Sequence, residues 1–120
     1  MHSPKIVVIG AGSYFFGRPV IWNMVNSEIL KGGTLALVDT NPRTLDTMMT
    51  LAGKAIDATG APTVLTGSTN RREVLKDADF VVLTFSEKNA YYRGVDTEIS
   101  MKHGVRMCSS DTIGPGGIFK

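Results

Sequence analysis

Lys5-Ile6-Val7-Val8-Ile9-Gly10-Ala11-Gly12-Ser13, answered downstream by Thr34-Leu35-Ala36-Leu37-Val38-Asp39, decides how this chain is read. After its entry lysine the first run is wholly β-branched, with no polar residue alternating along it. That pattern belongs to a strand buried on both faces of a parallel sheet. Glycine then breaks it at once. The second run has the same apolar character and closes on a carboxylate.

Between these strands a helix is predicted through 19–25, ending before Lys31-Gly32-Gly33. Thr40-Asn41-Pro42 reads as a second helix start, with a capping side chain ahead of a proline at the first helical position. Leu45, Met48, Met49, Leu51, Ala52, Ala55 and Ile56 follow at helical spacing until Gly60 and Pro62 stop the pattern. A short strand at 63–66, a short helix at 71–76 and a strong strand at 79–85 come next. An amphipathic helix at 90–103 and a strand at 105–108 complete the series. Strands alternate with helices throughout, which predicts an α/β fold: a Rossmann-type doubly wound sheet, mostly parallel, with helices on both faces. Residues 1–120 are read as one such domain. Gly114-Pro115-Gly116-Gly117 with Ile118-Phe119-Lys120 reads as a turn joining two elements, so the chain is expected to be the N-terminal portion of a longer enzyme.

Composition narrows the function classes. The 120 residues are 42% hydrophobic and 20% charged, an ordinary globular balance, and the 13 basic and 11 acidic residues are dispersed. No basic stripe suggests a nucleic-acid partner. No apolar stretch approaches the roughly 18 residues that a membrane span needs. The opening apolar run is too short for a signal-peptide core, so a cytoplasmic location is the expectation. The single cysteine, Cys108, excludes an internal disulfide and offers no metal-ligand spacing. In its predicted strand it reads as a small hydrophobe. His2 and His103 read as a terminal and a helix-end residue, and no metal ligand is assigned within the chain.

Gly10 and Gly12 gain mechanical meaning from their place between a buried strand and a helix. The first glycine permits the tight turn, and the second lets backbone approach a pyrophosphate. N–H groups at the helix start then face the phosphates, and Ser13 adds a hydroxyl. Phe15 stands at the third position of the glycine pattern, with Gly17 two residues later. A glycine pair alone is also compatible with a plain strand-to-helix turn, and a lone aspartate with a turn former. Asp39 at the end of the second strand joins the two into one site. Its carboxylate is placed to accept from ribose hydroxyls and to repel the 2′-phosphate of NADP, so NAD is the expected cofactor. Gly10, Gly12, Ser13, Phe15 and Asp39 are the candidate cofactor residues.

The chain also resembles glycoside hydrolase family 4. The likeness rests on Ile9-Gly10-Ala11-Gly12-Ser13 with Phe16-Gly17, on Leu35-Ala36-Leu37-Val38-Asp39, and on Ala78-Asp79-Phe80-Val81-Val82. It continues in His103-Gly104-Val105-Arg106 and in Asp111-Thr112-Ile113-Gly114-Pro115-Gly116-Gly117-Ile118-Phe119, the most specific segment. The resemblance spans nearly the whole chain but only the opening quarter to third of a typical member. It implies an NAD-dependent glycosidase, outside the two-carboxylate scheme of most sugar hydrolases. It also implies a redox-assisted elimination: oxidation at C3 of the sugar, loss of the C2 proton to a tyrosine, and an enolate stabilised by a divalent metal, Mn²⁺ being the expected ion. The metal-binding cysteine and histidine and the catalytic tyrosine are implied to lie beyond residue 120. No catalytic residue is therefore assigned here, and the 120 residues alone are expected to bind NAD weakly and hydrolyse nothing. Homo-oligomers are common in the family.

Asp111 matches an acidic residue that the family places near the sugar; as a residue type it fits a turn aspartate equally well. Asn89 and Arg93 follow the 79–85 strand, at the carboxyl edge where open α/β sheets bind ligands. Arg93 also fits an exposed helix position. Tyr91 and Tyr92 fit either the sugar pocket or packing. Members acting on 6-phosphorylated sugars tend to carry Arg-Val-Gly-Gly after this strand, whereas this chain has Ser86-Glu87-Lys88-Asn89. With no arginine and an opposing carboxylate, an unphosphorylated glycoside is the expected substrate, although Lys88 favours a phosphorylated one. Two other readings share the glycine pair and Asp39: a 2-hydroxy-acid dehydrogenase and a stand-alone nucleotide-binding module. The first lacks its arginines after the fourth strand, and the second leaves the terminal turn without a purpose.

Overall fold

The computed structural model describes residues 3–86 and 88–106. Their elements run β1 (Lys5–Ile9), α1 (Tyr14–Asn26), β2 (Thr34–Val38), α2 (Pro42–Thr59), β3 (Val64–Ser68), α3 (Arg71–Val74), β4 (Phe80–Leu83) and α4 (Asn89–Lys102). The chain divides into two compact units, Met1–Phe85 and Ser86–Lys120. The first holds the whole described sheet. In the second, α4 is followed by a turn at His103 and Gly104 that returns the Val105 amide to the Ser100 carbonyl.

All strand pairs are parallel, in the order β3-β2-β1-β4. The chain moves outward from β1 through β2 to β3, then crosses back to place β4 on the other side of β1. The switch point between β1 and β4 is where such sheets open a crevice at their carboxyl ends.

Strand alternation sorts the core into two layers. Ile6, Val8, Leu35 and Leu37 face α1 and α2, packing against Ile21, Met24, Leu45, Met48 and Ala52. Val7, Ala36 and Val38 turn to the opposite side, where Val74 of α3 meets them with Leu75 and Ala78 beside it. Helices thus cover both faces, as a doubly wound sheet requires.

Some element bounds differ from the sequence reading, each for a local reason. Helix α1 begins at Tyr14, a full turn and more before Pro19, because Ser13 caps it by accepting from the Phe16 amide. Pro19 lies inside the helix on its exposed side. Helix α2 starts as predicted, with the Asn41 side chain accepting from the Arg43 amide at 3.0 Å, and ends on Gly60 in a left-handed conformation. Strand β3 runs Val64–Ser68, beginning one residue later than expected, and the Thr63 hydroxyl before it donates to the Lys31 carbonyl at 2.6 Å. Strand β4 is shorter than 79–85, yet the Asp79 and Thr84 amides still donate to β1 at either end. Of the strand expected at 105–108, Val105 and Arg106 are not in a strand, and Met107 and Cys108 lie outside the described residues.

Helix α1 packs closely on the sheet through Gly17. A methyl group there would come within 2.5 Å of the Ala11 carbonyl oxygen and 3.1 Å of Met48 Cε. Gly17→Ala is expected to lower stability by about 1–3 kcal/mol through this overpacking. Gly53→Ala, inside α2 with open space at its Cβ, is expected to raise it by up to about 1 kcal/mol. Urea unfolding of the two variants checks both signs.

Candidate functional site

The turn after β1 is fixed by hydrogen bonds to both neighbouring strands. The amides of Gly10 and Ala11 both donate to the Val38 carbonyl at the end of β2, at 2.8 and 2.9 Å. The Gly10 carbonyl accepts from the Ser13 amide and, at 2.8 Å, from the Thr84 hydroxyl beyond β4. Gly10 has φ of +86°, and any Cβ would lie 2.8 Å from the Thr84 backbone. Only glycine combines that conformation with that approach. The turn therefore sits at the β1–β4 switch point, held from the two sides by different strands.

Asp39 continues the chain from β2 and reaches back to this turn. Its Oδ2 accepts from the Gly12 amide at 2.8 Å, and its Oδ1 accepts from the Asn41 amide at 2.9 Å. A Cβ on Gly12 would come within 2.6 Å of Oδ2 and would also strike the Thr44 hydroxyl. The second glycine is thus required by the carboxylate packed against it.

At the start of α1 the Gly17 amide is taken by the Ser13 carbonyl and the Phe16 amide by the Ser13 hydroxyl oxygen. The amides of Tyr14 and Phe15 have no partner among the described residues. Two N–H groups at the positive end of a helix, with a half-buried carboxylate just beyond β2, suit a ligand carrying an anionic group and neutral hydroxyls.

The structure brings Gly10, Gly12, Ser13, Phe15 and Asp39 together around one turn. Phe15 contributes its backbone amide; its ring is exposed and stacks edge-on against Phe16. The close helix–sheet approach that a third glycine would supply belongs to Gly17. Asn89 and Arg93 lie in the second unit, on the first turns of α4, with Asn89 exposed and Arg93 half-buried. Asp111 and the glycine-rich turn lie outside the described residues. Sequence reasoning missed Thr44 and Thr84, whose only local signal is position, just inside a helix and just beyond a strand.

Fold and turn together define a Rossmann-type α/β domain. The particular family follows from comparison with known proteins: residues 5–120 match the model described as Family 4 glycosyl hydrolase, and the chain belongs to that family. It is 30% identical over 119 residues to an alpha-galactosidase of Rhizobium meliloti (strain 1021), covering 99% of this chain and 24% of that protein. It is 36% identical over 118 residues to a probable 6-phospho-beta-glucosidase of Bacillus subtilis (strain 168), covering 97% and 26%. The 6-phospho-beta-glucosidase of Thermotoga maritima, solved with manganese, NAD+ and glucose-6-phosphate, shares the fold at a TM-score of 0.65. Its identity is 19%, over 94% of this chain and 27% of that one. The chain thus spans about a quarter of the length of the curated relatives it matches. No helix among the described residues is long and apolar enough to cross a membrane.

Thr84→Val removes the hydroxyl that holds the Gly10 carbonyl while keeping the side-chain shape. A loss of about 1 kcal/mol in stability is expected, recovered in Thr84→Ser. Chemical denaturation of the three proteins checks it.

Proposed function

We propose that this chain is the NAD-binding N-terminal part of a glycosidase that hydrolyses O-glycosidic bonds by a redox-assisted elimination, preferably on unphosphorylated glycosides. The observation that carries the cofactor part is Asp39. Its carboxylate stands just beyond the end of β2, hydrogen-bonded to the turn, and the neighbouring amides of Tyr14 and Phe15 have no partner among the described residues. In this reading those amides and the Ser13 hydroxyl hold the pyrophosphate, and Gly10 and Gly12 keep side chains out of its way. Asp39 accepts from the adenosine ribose hydroxyls and repels a 2′-phosphate. Bound NAD⁺ supplies a reversible hydride acceptor for the sugar.

Membership of family 4 supports the glycosidase assignment, and the NAD+ and manganese of the Thermotoga maritima enzyme support the two cofactors. The divalent cation is proposed to be held by ligands beyond residue 120, as the family resemblance implies. Asn89, Arg93 and Asp111 are proposed to line the sugar site. Substrate class rests on Ser86-Glu87-Lys88-Asn89, which has no arginine for a phosphate and one carboxylate against it. The named relatives include both an alpha-galactosidase and a probable 6-phospho-beta-glucosidase, so the choice is a real one.

The complete protein as encoded is expected to hydrolyse nitrophenyl glycosides only with NAD⁺ and Mn²⁺ both present, and faster than the corresponding 6-phosphates. Equal turnover without NAD⁺ would overturn the mechanism; preference for the 6-phosphates would overturn the substrate class alone. Asp39→Ala is expected to weaken NAD⁺ binding by about 1–3 kcal/mol through lost charge-assisted hydrogen bonds, read by calorimetric titration. Unchanged affinity would count against the assigned site.

A further inference from the structure

Among the described residues, Thr44, in the first turn of α2, is the one side chain that hydrogen-bonds the Asp39 carboxylate. Its Oγ1 lies 3.4 Å from Asp39 Oδ1 and 3.1 Å from the Asn41 carbonyl oxygen. The same oxygen lies where a Cβ on Gly12 would fall. Glycine turn, carboxylate and hydroxyl therefore meet at one point. The Asn41 cap and Pro42 fix the start of α2, so the hydroxyl is delivered from a rigid base.

A carboxylate has about four acceptor sites. The Gly12 amide occupies one on Oδ2 and the Asn41 amide one on Oδ1. The single Thr44 proton divides between the third, on Oδ1, and the nearer Asn41 carbonyl. The fourth, on Oδ2, is open to a hydroxyl of the ribose, so the ligand can bind while the Thr44 hydrogen bond on Oδ1 persists. Thr44 then holds the carboxylate in the bound state as well, without competing for the site the ribose takes.

We infer that Thr44 is a positioning residue for Asp39, holding the carboxylate in place to accept from the adenosine ribose. This rests on reading the turn as an NAD site. It adds a residue to the recognition of the ribose that neither the glycine pattern nor the strand-end acid supplies.

The test is calorimetric titration of the complete protein with NAD⁺, comparing wild type, Thr44→Val, Thr44→Ser, Asp39→Ala and the Asp39→Ala/Thr44→Val double variant. Thermal unfolding confirms that each is folded, and Thr44→Ala replaces Thr44→Val should the valine variant not fold. Thr44→Val keeps the shape and removes the donor; its dissociation constant is expected to rise roughly 3- to 10-fold, in line with the loss of one hydrogen bond. Thr44→Ser is expected to stay within about twofold of wild type, since it keeps the hydroxyl. In the Asp39→Ala background the valine is expected to add nothing, because the effect runs through the carboxylate. An unchanged affinity in Thr44→Val, or the same further loss without Asp39, overturns the inference. Failure of the wild-type protein to bind NAD⁺ overturns the cofactor reading itself and is seen separately in the first titration.

Discussion

The hydrogen bond from the Gly12 amide to the Asp39 carboxylate ties together the ends of the two central strands. Its 2.8 Å length requires that no side chain stand at position 12, and that β2 end level with β1. The parallel register supplies the second condition by pairing Ile9 with Val38, so that Asp39 emerges beside the turn. The Val38 carbonyl, one residue earlier, accepts from both Gly10 and Ala11. Three amides of one turn are thus satisfied by two consecutive residues at the end of the neighbouring strand. With those amides bound inward, the amides of Tyr14 and Phe15 at the start of α1 are left without a partner among the described residues.

Holding that turn from β2 alone would leave its far side loose. Thr84 supplies the opposite restraint, and it does so because β4 has crossed to the other side of β1. The crossing that opens the crevice at the sheet's carboxyl edge thereby also brings the residue that steadies the turn lining it. Packing beneath reinforces this. Gly17 sets α1 down against the Ala11 carbonyl, and Met48 of α2 closes over the same place. The start of α1, with the amides of Tyr14 and Phe15, is in this way fixed by the hydrophobic core.

Much of this was legible in the sequence, and the division follows physical range. The β1 and β2 runs are readable because burial on both faces leaves no polar residue to blur them. The start of α2 is readable because Asn41-Pro42 is a local cap with a local partner. The start of α1 is obscured because Tyr14, Phe15 and Phe16 are all exposed. An aromatic run facing solvent lacks the apolar spacing that marks a helix, and Pro19 draws the eye to a later start. Phe15 filled the third position of the glycine pattern on spacing, whereas the close contact lies at Gly17, a fact of three-dimensional packing. Thr84 meets the glycine turn across 74 residues of sequence, and no local pattern records such a partner.

On the proposed reading of the turn as an NAD site, Gly12 and Asp39 also bear on how cofactor preference could change. Replacing the acid is the obvious route towards a phosphorylated ribose. Here the same replacement removes the acceptor of a half-buried amide, and an orphaned donor costs more than a missing contact. A glycine turn adapted to Asp39 would regain its full stability only with a new acceptor, from a side chain or an ordered water. Preference and backbone integrity are epistatic at this position. Mutational routes between the two cofactors should therefore pass through compensating substitutions around the start of α2, and a single exchange of the acid should rarely succeed by itself.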